Sequence, residues 1–115
     1  MRFTRTSWVM GIGTIAVLMG LSGCGKQQTI LQKDAVKYPE AVRLYQQGCN
    51  TCHGDNLQGG IGPNLQHVGS QLTEAQIRHR IEVGSGPMPA YGAPGDAIYT
   101  PSQIQALTQW LSAQK

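Results

Sequence analysis

Cysteine is scarce in this sequence. Three occur among 115 residues, at positions 24, 49 and 52. Once each has a separate role there is none left for a disulfide, and a structural zinc site would need four Cys or His ligands. Charge is scarce as well: nine Lys and Arg against six Asp and Glu give a formal +3, which excludes a nucleic-acid or polybasic membrane signature. No internal repeat and no second domain can be discerned. No run is long enough to cross a bilayer comfortably, because the one uncharged apolar stretch, Trp8 to Leu21, falls short of the ~20 residues a spanning helix needs.

That stretch reads instead as an address. Arg2 and Arg5 supply a positive start and Trp8 to Leu21 the apolar region of a signal peptide. Leu21-Ser22-Gly23-Cys24 resembles the lipobox of bacterial lipoproteins, in which the Cys becomes the lipidated first residue of the mature chain. An ordinary signal peptide followed by an unpaired Cys is the competing reading. Removing 23 of the 115 residues leaves 92, one small domain with a modest core that a bound apolar group would help to build. The loss of Arg2 and Arg5 brings the mature charge to +1.

The chemistry lies in Cys49-Asn50-Thr51-Cys52-His53. Two thiols three positions apart on one turn can each add to a vinyl group of a haem, and the following imidazole then lies under the iron. His53 is the proximal axial ligand on this reading, and the cofactor is one haem c held covalently through Cys49 and Cys52. A zinc site lacks its remaining ligands, and a redox dithiol lacks the strand-turn-helix pattern that would carry it.

Around this segment the chain reads as helices and loops. Residues 25–37 are polar, with three Lys around a weak Ile30-Leu31 pair, and are expected to be a tether; a helical extension from Thr29 to Lys37 is the alternative. A helix begins at Pro39 and runs to Gln46, with Ala41, Val42 and Tyr45 on one face and Gly48 ending it. Residues 54–62 hold four Gly and form a loop at the haem edge. Thr73-Glu74-Ala75-Gln76 is a capping box opening a helix to Val83, with Ile77 and Ile81 inward and Gly84 as a left-handed stop. Thr100-Pro101-Ser102-Gln103 opens the last helix, which carries Ile104, Leu107, Trp110 and Leu111 on one face. His79 is read as solvated; His67, in the preceding loop, is placed where it could meet the haem edge.

Between the last two helices, Gly84-Ser85-Gly86-Pro87-Met88-Pro89-Ala90-Tyr91-Gly92 breaks every helical rule. A Met between two prolines is a thioether held on a stiffened loop, which suits a distal axial ligand. The other three Met lie in the signal segment.

With Cys49 to His53, Gly62-Pro63-Asn64-Leu65 and Met88-Pro89 on the page, residues Pro39 to Ser112 resemble the class I cytochromes c, of the small lipid-anchored type found in Gram-positive bacteria. The resemblance implies an all-α fold, three main helices wrapped around one covalent haem. It also implies that the Pro63 carbonyl accepts a hydrogen bond from the His53 imidazole, that Leu65 packs on the proximal face, and that the last helix crosses the first at a Gly-and-aromatic contact, with Tyr45 and Gly48 on one side and Leu107, Trp110 and Leu111 on the other as matching candidates; read from the residues alone, these side chains are core. The resulting organisation is a lipoprotein signal peptide over 1–23, a lipidated Cys24 with a tether to residue 37, and a cytochrome domain over 38–115. The implied function is that of a membrane-anchored respiratory electron carrier on the outer face of the bacterial cytoplasmic membrane, not an enzyme. A quinol-oxidising complex is the implied donor and a terminal oxidase the acceptor. A haem-based sensor of small ligands and a fixed subunit of an oxidase or reductase complex remain as alternatives.

Overall fold

The computed structural model describes residue 23 and residues 25–115. The signal peptide expected over residues 1–23 and the lipidation expected at Cys24 fall outside the described residues, apart from Gly23. The described chain is helical, in the order α1 (Ile30–Asp34), α2 (Pro39–Gly48), α3 (Asn50–His53), α4 (Val68–Gln71), α5 (Glu74–Val83) and α6 (Pro101–Ser112). Three longer helices, α2, α5 and α6, frame the domain, as expected of the all-α cytochrome fold. Among the described residues no helix is long and apolar enough to cross a membrane.

Local chemistry sets the helix starts. Thr73 and Thr100 each accept from the backbone N–H three residues on, while Gln76 and Gln103 reach back to the cap N–H, so orphan donors at each helix start are satisfied reciprocally. Pro39 and Pro101 begin α2 and α6 where the missing N–H costs nothing. The apolar stripes then converge. Tyr45 of α2 and Trp110 of α6, both fully buried, meet edge to face with ring centroids 5.3 Å apart at 75°. α6 packs on α2 and on α5, which contributes buried Ile77 and Ile81.

The structure departs from the expected tether. Residues 29–34 form a capped turn of helix, with Thr29 and Gln32 as a capping box. Leu31 is buried in the core. The Ile30 N–H donates to Asn56 Oδ1 at 2.6 Å, and Asp34 Oδ2 accepts from Trp110 Nε1 at 2.6 Å and from Gln114 Nε2 at 2.8 Å. The polar composition that suggested a tether conceals one apolar anchor and one carboxylate that ties the segment to α6. Two smaller differences accompany it. Gly84 has the positive φ expected, +71°, but its ψ of −172° lies in an extended region open essentially to glycine alone rather than the left-handed helical one. The nearest neighbours of a Cβ at Gly48 would be the hydroxyl of Tyr99 and the ring of Tyr91, and not the α6 side chains expected of a helix-crossing glycine.

Candidate functional site

α2 delivers the chain to the Cys-X-X-Cys-His turn with barely a break. The Cys49 N–H still bonds to the Tyr45 carbonyl at 2.8 Å, and the His53 N–H bonds to the Cys49 carbonyl at 3.0 Å. One helical turn thus carries both thiols and the imidazole. Tyr45 fixes the end of that turn, its hydroxyl donating to the Gly54 carbonyl at 2.7 Å. The loop that follows is stitched back onto the same turn: Gly59 N–H donates to His53 O at 2.7 Å and Gly62 N–H to Cys52 O at 2.8 Å. Leu57, with φ +62°, is completely buried, and its carbonyl accepts from the Leu65 N–H at 2.7 Å.

These ties orient the imidazole. His53 is 8% exposed, and its Nδ1 lies 2.9 Å from the Pro63 carbonyl oxygen. A carbonyl only accepts, so Nδ1 carries the proton and Nε2 keeps its lone pair free for a metal. Gly62 lies flat against the ring: a Cβ there would stand 2.8 Å from His53 Cε1 and 2.9 Å from Nδ1. Only glycine lets the backbone pass this close.

Met88 reaches the site from the loop between α5 and α6. Ser85 and Met88 exchange backbone hydrogen bonds of 3.1 and 3.0 Å across a four-residue turn through Gly86 and Pro87. The Tyr91 N–H bonds to the Ile81 carbonyl at 3.0 Å and the Gly92 N–H to the Glu82 carbonyl at 3.1 Å, which clamps the loop to α5. Met88 is partly buried against the core.

Cys49, Cys52, His53, Pro63, Leu65 and Met88 all line one cavity of about 440 Å³, within the size range of small-molecule and cofactor sites. Ile77, Ile81 and Leu111 add apolar walls. Arg80 also lines it. The stripe carrying Ile77 and Ile81 was visible as a helical period; its role as a cavity wall was not. Tyr91 and Tyr99 were missed altogether. Their rings stack at 5.0 Å, and their hydroxyls donate to the carbonyls of Gly48 and Leu44 respectively, holding the end of α2 in place. Burial pushes all three of Tyr45, Tyr91 and Tyr99 upward, Tyr91 to about 12. Burial, and next the neighbouring Cys52, also raises the Cys49 thiol to about 12, the opposite of the lowered value that makes a redox dithiol reactive. His67 does not line the cavity; its Nδ1 lies 2.8 Å from the Lys115 carbonyl oxygen. His79 is exposed on α5.

The residues present fit a haem. A largely apolar cavity has two thiols and a tautomer-fixed imidazole on one wall and a thioether elsewhere on its lining. Among the described residues no three His, Cys, Asp or Glu side chains group in a way that would hold a metal ion by themselves.

Comparison with known proteins agrees. Residues 37–111 match the family described as cytochrome c oxidase, cbb3-type, subunit III. The chain is similar to cytochrome c-551 of Bacillus subtilis (strain 168), 38% identical over 76 residues, covering 66% of this chain and 62% of that protein. It is similar also to cytochrome c-550 of the same organism, 33% identical over 91 residues, covering 79% and 69%. The cytochrome c subunit of the Bacillus subtilis menaquinol:cytochrome c reductase is 41% identical over 68 residues, 58% of this chain but 24% of that protein. The matched span takes in the Cys-X-X-Cys-His turn, the Pro63 loop and the Met88 loop together, and the chain belongs to the cytochrome c family as a small class I member.

Proposed function

We propose that this protein is a single-haem electron carrier of a bacterial respiratory chain, anchored by a lipid at Cys24 to the outer face of the cytoplasmic membrane. Bound haem supplies a one-electron iron couple. Cys49 and Cys52 would hold it by two thioether bonds. His53, its Nδ1 bonded to the Pro63 carbonyl, would offer Nε2 to the iron, and Met88, on its clamped loop, would offer a soft sulfur, a pair that would raise the potential of the couple. Leu65, Ile77, Ile81 and Leu111 line the cavity with apolar surface that would exclude water around the bound group. Ile61 and Pro87 line the cavity yet are themselves exposed, leaving a rim that a redox partner can approach. The observation that carries this reading is the His53 Nδ1–Pro63 contact of 2.9 Å in a cavity that Met88 also lines.

A carrier is favoured over an enzyme or ligand sensor because, among the described residues, Arg80 is the one charged side chain on the cavity lining and no carboxylate accompanies it there to act on a bound ligand. A quinol-oxidising complex is the proposed donor and a terminal oxidase the acceptor. The second reading, a fixed subunit of such a complex, is favoured by the relative named as a reductase subunit. The axial assignment is tested with Met88→Ala. Loss of the far-red sulfur-to-iron band in that variant, and its survival in His67→Ala and His79→Ala, is expected; the reverse pattern overturns Met88 as ligand.

A further inference from the structure

The segment ahead of α2 has a property that a flexible tether would not have. Thr29 caps α1, Ile30 N–H is bonded to Asn56, Leu31 is in the core and Asp34 is bonded to Trp110 and Gln114. Only residues 25–28 therefore lie between Cys24 and the folded domain. Fully extended, the five steps from Cys24 to Thr29 span about 17 Å at most. A loose tether of residues 25–37 would reach as far as that on average and much further when stretched.

The same segment is net positive. Residues 25–37 contain Lys26, Lys33 and Lys37 and one acid, Asp34. Asp34 faces α6, where its Oδ2 accepts the two hydrogen bonds from Trp110 and Gln114. The three lysines are exposed, the Lys37 ammonium lying 5.1 Å from the centroid of the Tyr38 ring, and Val36, next to Lys37 in sequence, is 89% exposed, the most exposed large apolar side chain of the described residues. Three lysines are too few to bind a membrane as a polybasic patch, but beside a lipid anchor, cations close in sequence to an exposed aliphatic side chain suit the interface of an anionic bilayer, where the charges meet headgroups and the apolar group enters the acyl boundary.

We infer that α1 and its short leash hold the domain against an anionic phospholipid surface in a restricted orientation, with Lys33, Val36 and Lys37 toward the headgroups. The inference rests on the proposed lipid anchor at Cys24. It makes the protein a carrier that moves laterally in one layer and meets partners whose electron-transfer sites lie at that height.

The test is lysine acetylation of the full-length holoprotein, read by mass spectrometry, in detergent and on vesicles of mixed phosphatidylcholine and phosphatidylglycerol. Lys33 and Lys37 are expected to react at least about fivefold more slowly on the vesicles, with Lys115 unchanged. Inserting roughly twenty Gly and Ser residues after Gln28 is expected to restore most of the lost reactivity. Equal rates in detergent and on vesicles overturn the orientation, as does full protection in the insertion variant. The intact mass separates the two claims: a Cys24 without acyl chains removes the anchor and this inference with it, whereas an acylated Cys24 with unprotected lysines removes the orientation alone.

Discussion

Trp110 donates its indole N–H to Asp34 Oδ2 at 2.6 Å, across 76 positions of sequence. The bond joins the last helix to a segment whose composition looks like a linker, and Gln114 Nε2 reaches the same oxygen at 2.8 Å. Trp110 is fully buried, so removing its acceptor leaves an indole N–H without a partner. Hydrogen bonds to a charged group are worth about 1.5–3 kcal/mol. Asp34→Ala is expected to cost about 2–3 kcal/mol in urea unfolding of the holoprotein. Asp34→Asn keeps an acceptor oxygen and should cost about half as much. An Asp34→Ala variant as stable as wild type would show that α1 is not held in this way.

Gly62 tests the imidazole's support. An added methyl would stand 2.8 Å from His53 Cε1, forcing the ring or the loop to shift. Gly62→Ala is expected to destabilise by about 1–3 kcal/mol, as overpacking does, and to weaken the low-spin signature of the His-ligated iron. Gly60→Ala, whose methyl would meet only the Cys52 carbonyl oxygen at 3.3 Å, should have a much smaller effect on both. Equal effects at the two positions would remove the special role given to Gly62.

Alkaline pH acts through the tyrosines. In the unfolded chain they ionise near about pH 10. In the fold, burial raises Tyr45, Tyr91 and Tyr99, Tyr91 to about 12, and each hydroxyl is a donor to a backbone carbonyl. The folded state therefore binds more protons than the unfolded one in this window, and stability falls as pH rises. The urea midpoint is expected to ignore tyrosine ionisation below about pH 10 and to drop between there and about pH 12, less steeply in Tyr99→Phe. A midpoint unchanged across that window contradicts the burial argument.

On the proposed reading, location depends on Cys24 and not on the cavity. Two acyl chains bury about 0.8 kcal/mol per methylene, whereas a single chain binds only reversibly. The mature protein is expected to sediment with membranes after a high-salt wash and to incorporate a labelled fatty acid. Cys24→Ala should leave a soluble domain or an unprocessed precursor whose visible spectrum is unchanged once it has acquired haem. Release of wild type by salt, without label, would end the lipid reading.

The sequence was most legible where structure depends on neighbours along the chain. The Thr-X-X-Gln boxes at Thr73 and Thr100 and the prolines at 39 and 101 start helices for reasons contained within four residues. The six site residues were singled out by spacing and by resemblance, and they line one cavity. α1 opens on the same Thr-X-X-Gln box, at Thr29 and Gln32, and stood only as the alternative to a tether. What escaped depends on distant partners: its one apolar anchor is too few for a period, and its carboxylate is bonded 76 and 80 positions away. α4 is a single turn, its Gly69 N–H bonded to the Gln114 carbonyl at 2.7 Å. Tyr91 and Tyr99 lie in irregular segments, where no periodicity announces that their hydroxyls reach back to α2.

The central claim is a haem fixed by two thioether bonds at Cys49 and Cys52. The most direct measurement is acid-acetone extraction of the purified, unfolded wild-type protein, followed by haem staining and an absorption spectrum of the precipitate. The account predicts that the haem stays with the polypeptide, with the reduced spectrum of a c-type centre, and that Cys49→Ser and Cys52→Ser each lose one of the two attachments. Free haem in the acetone phase from wild type would contradict it.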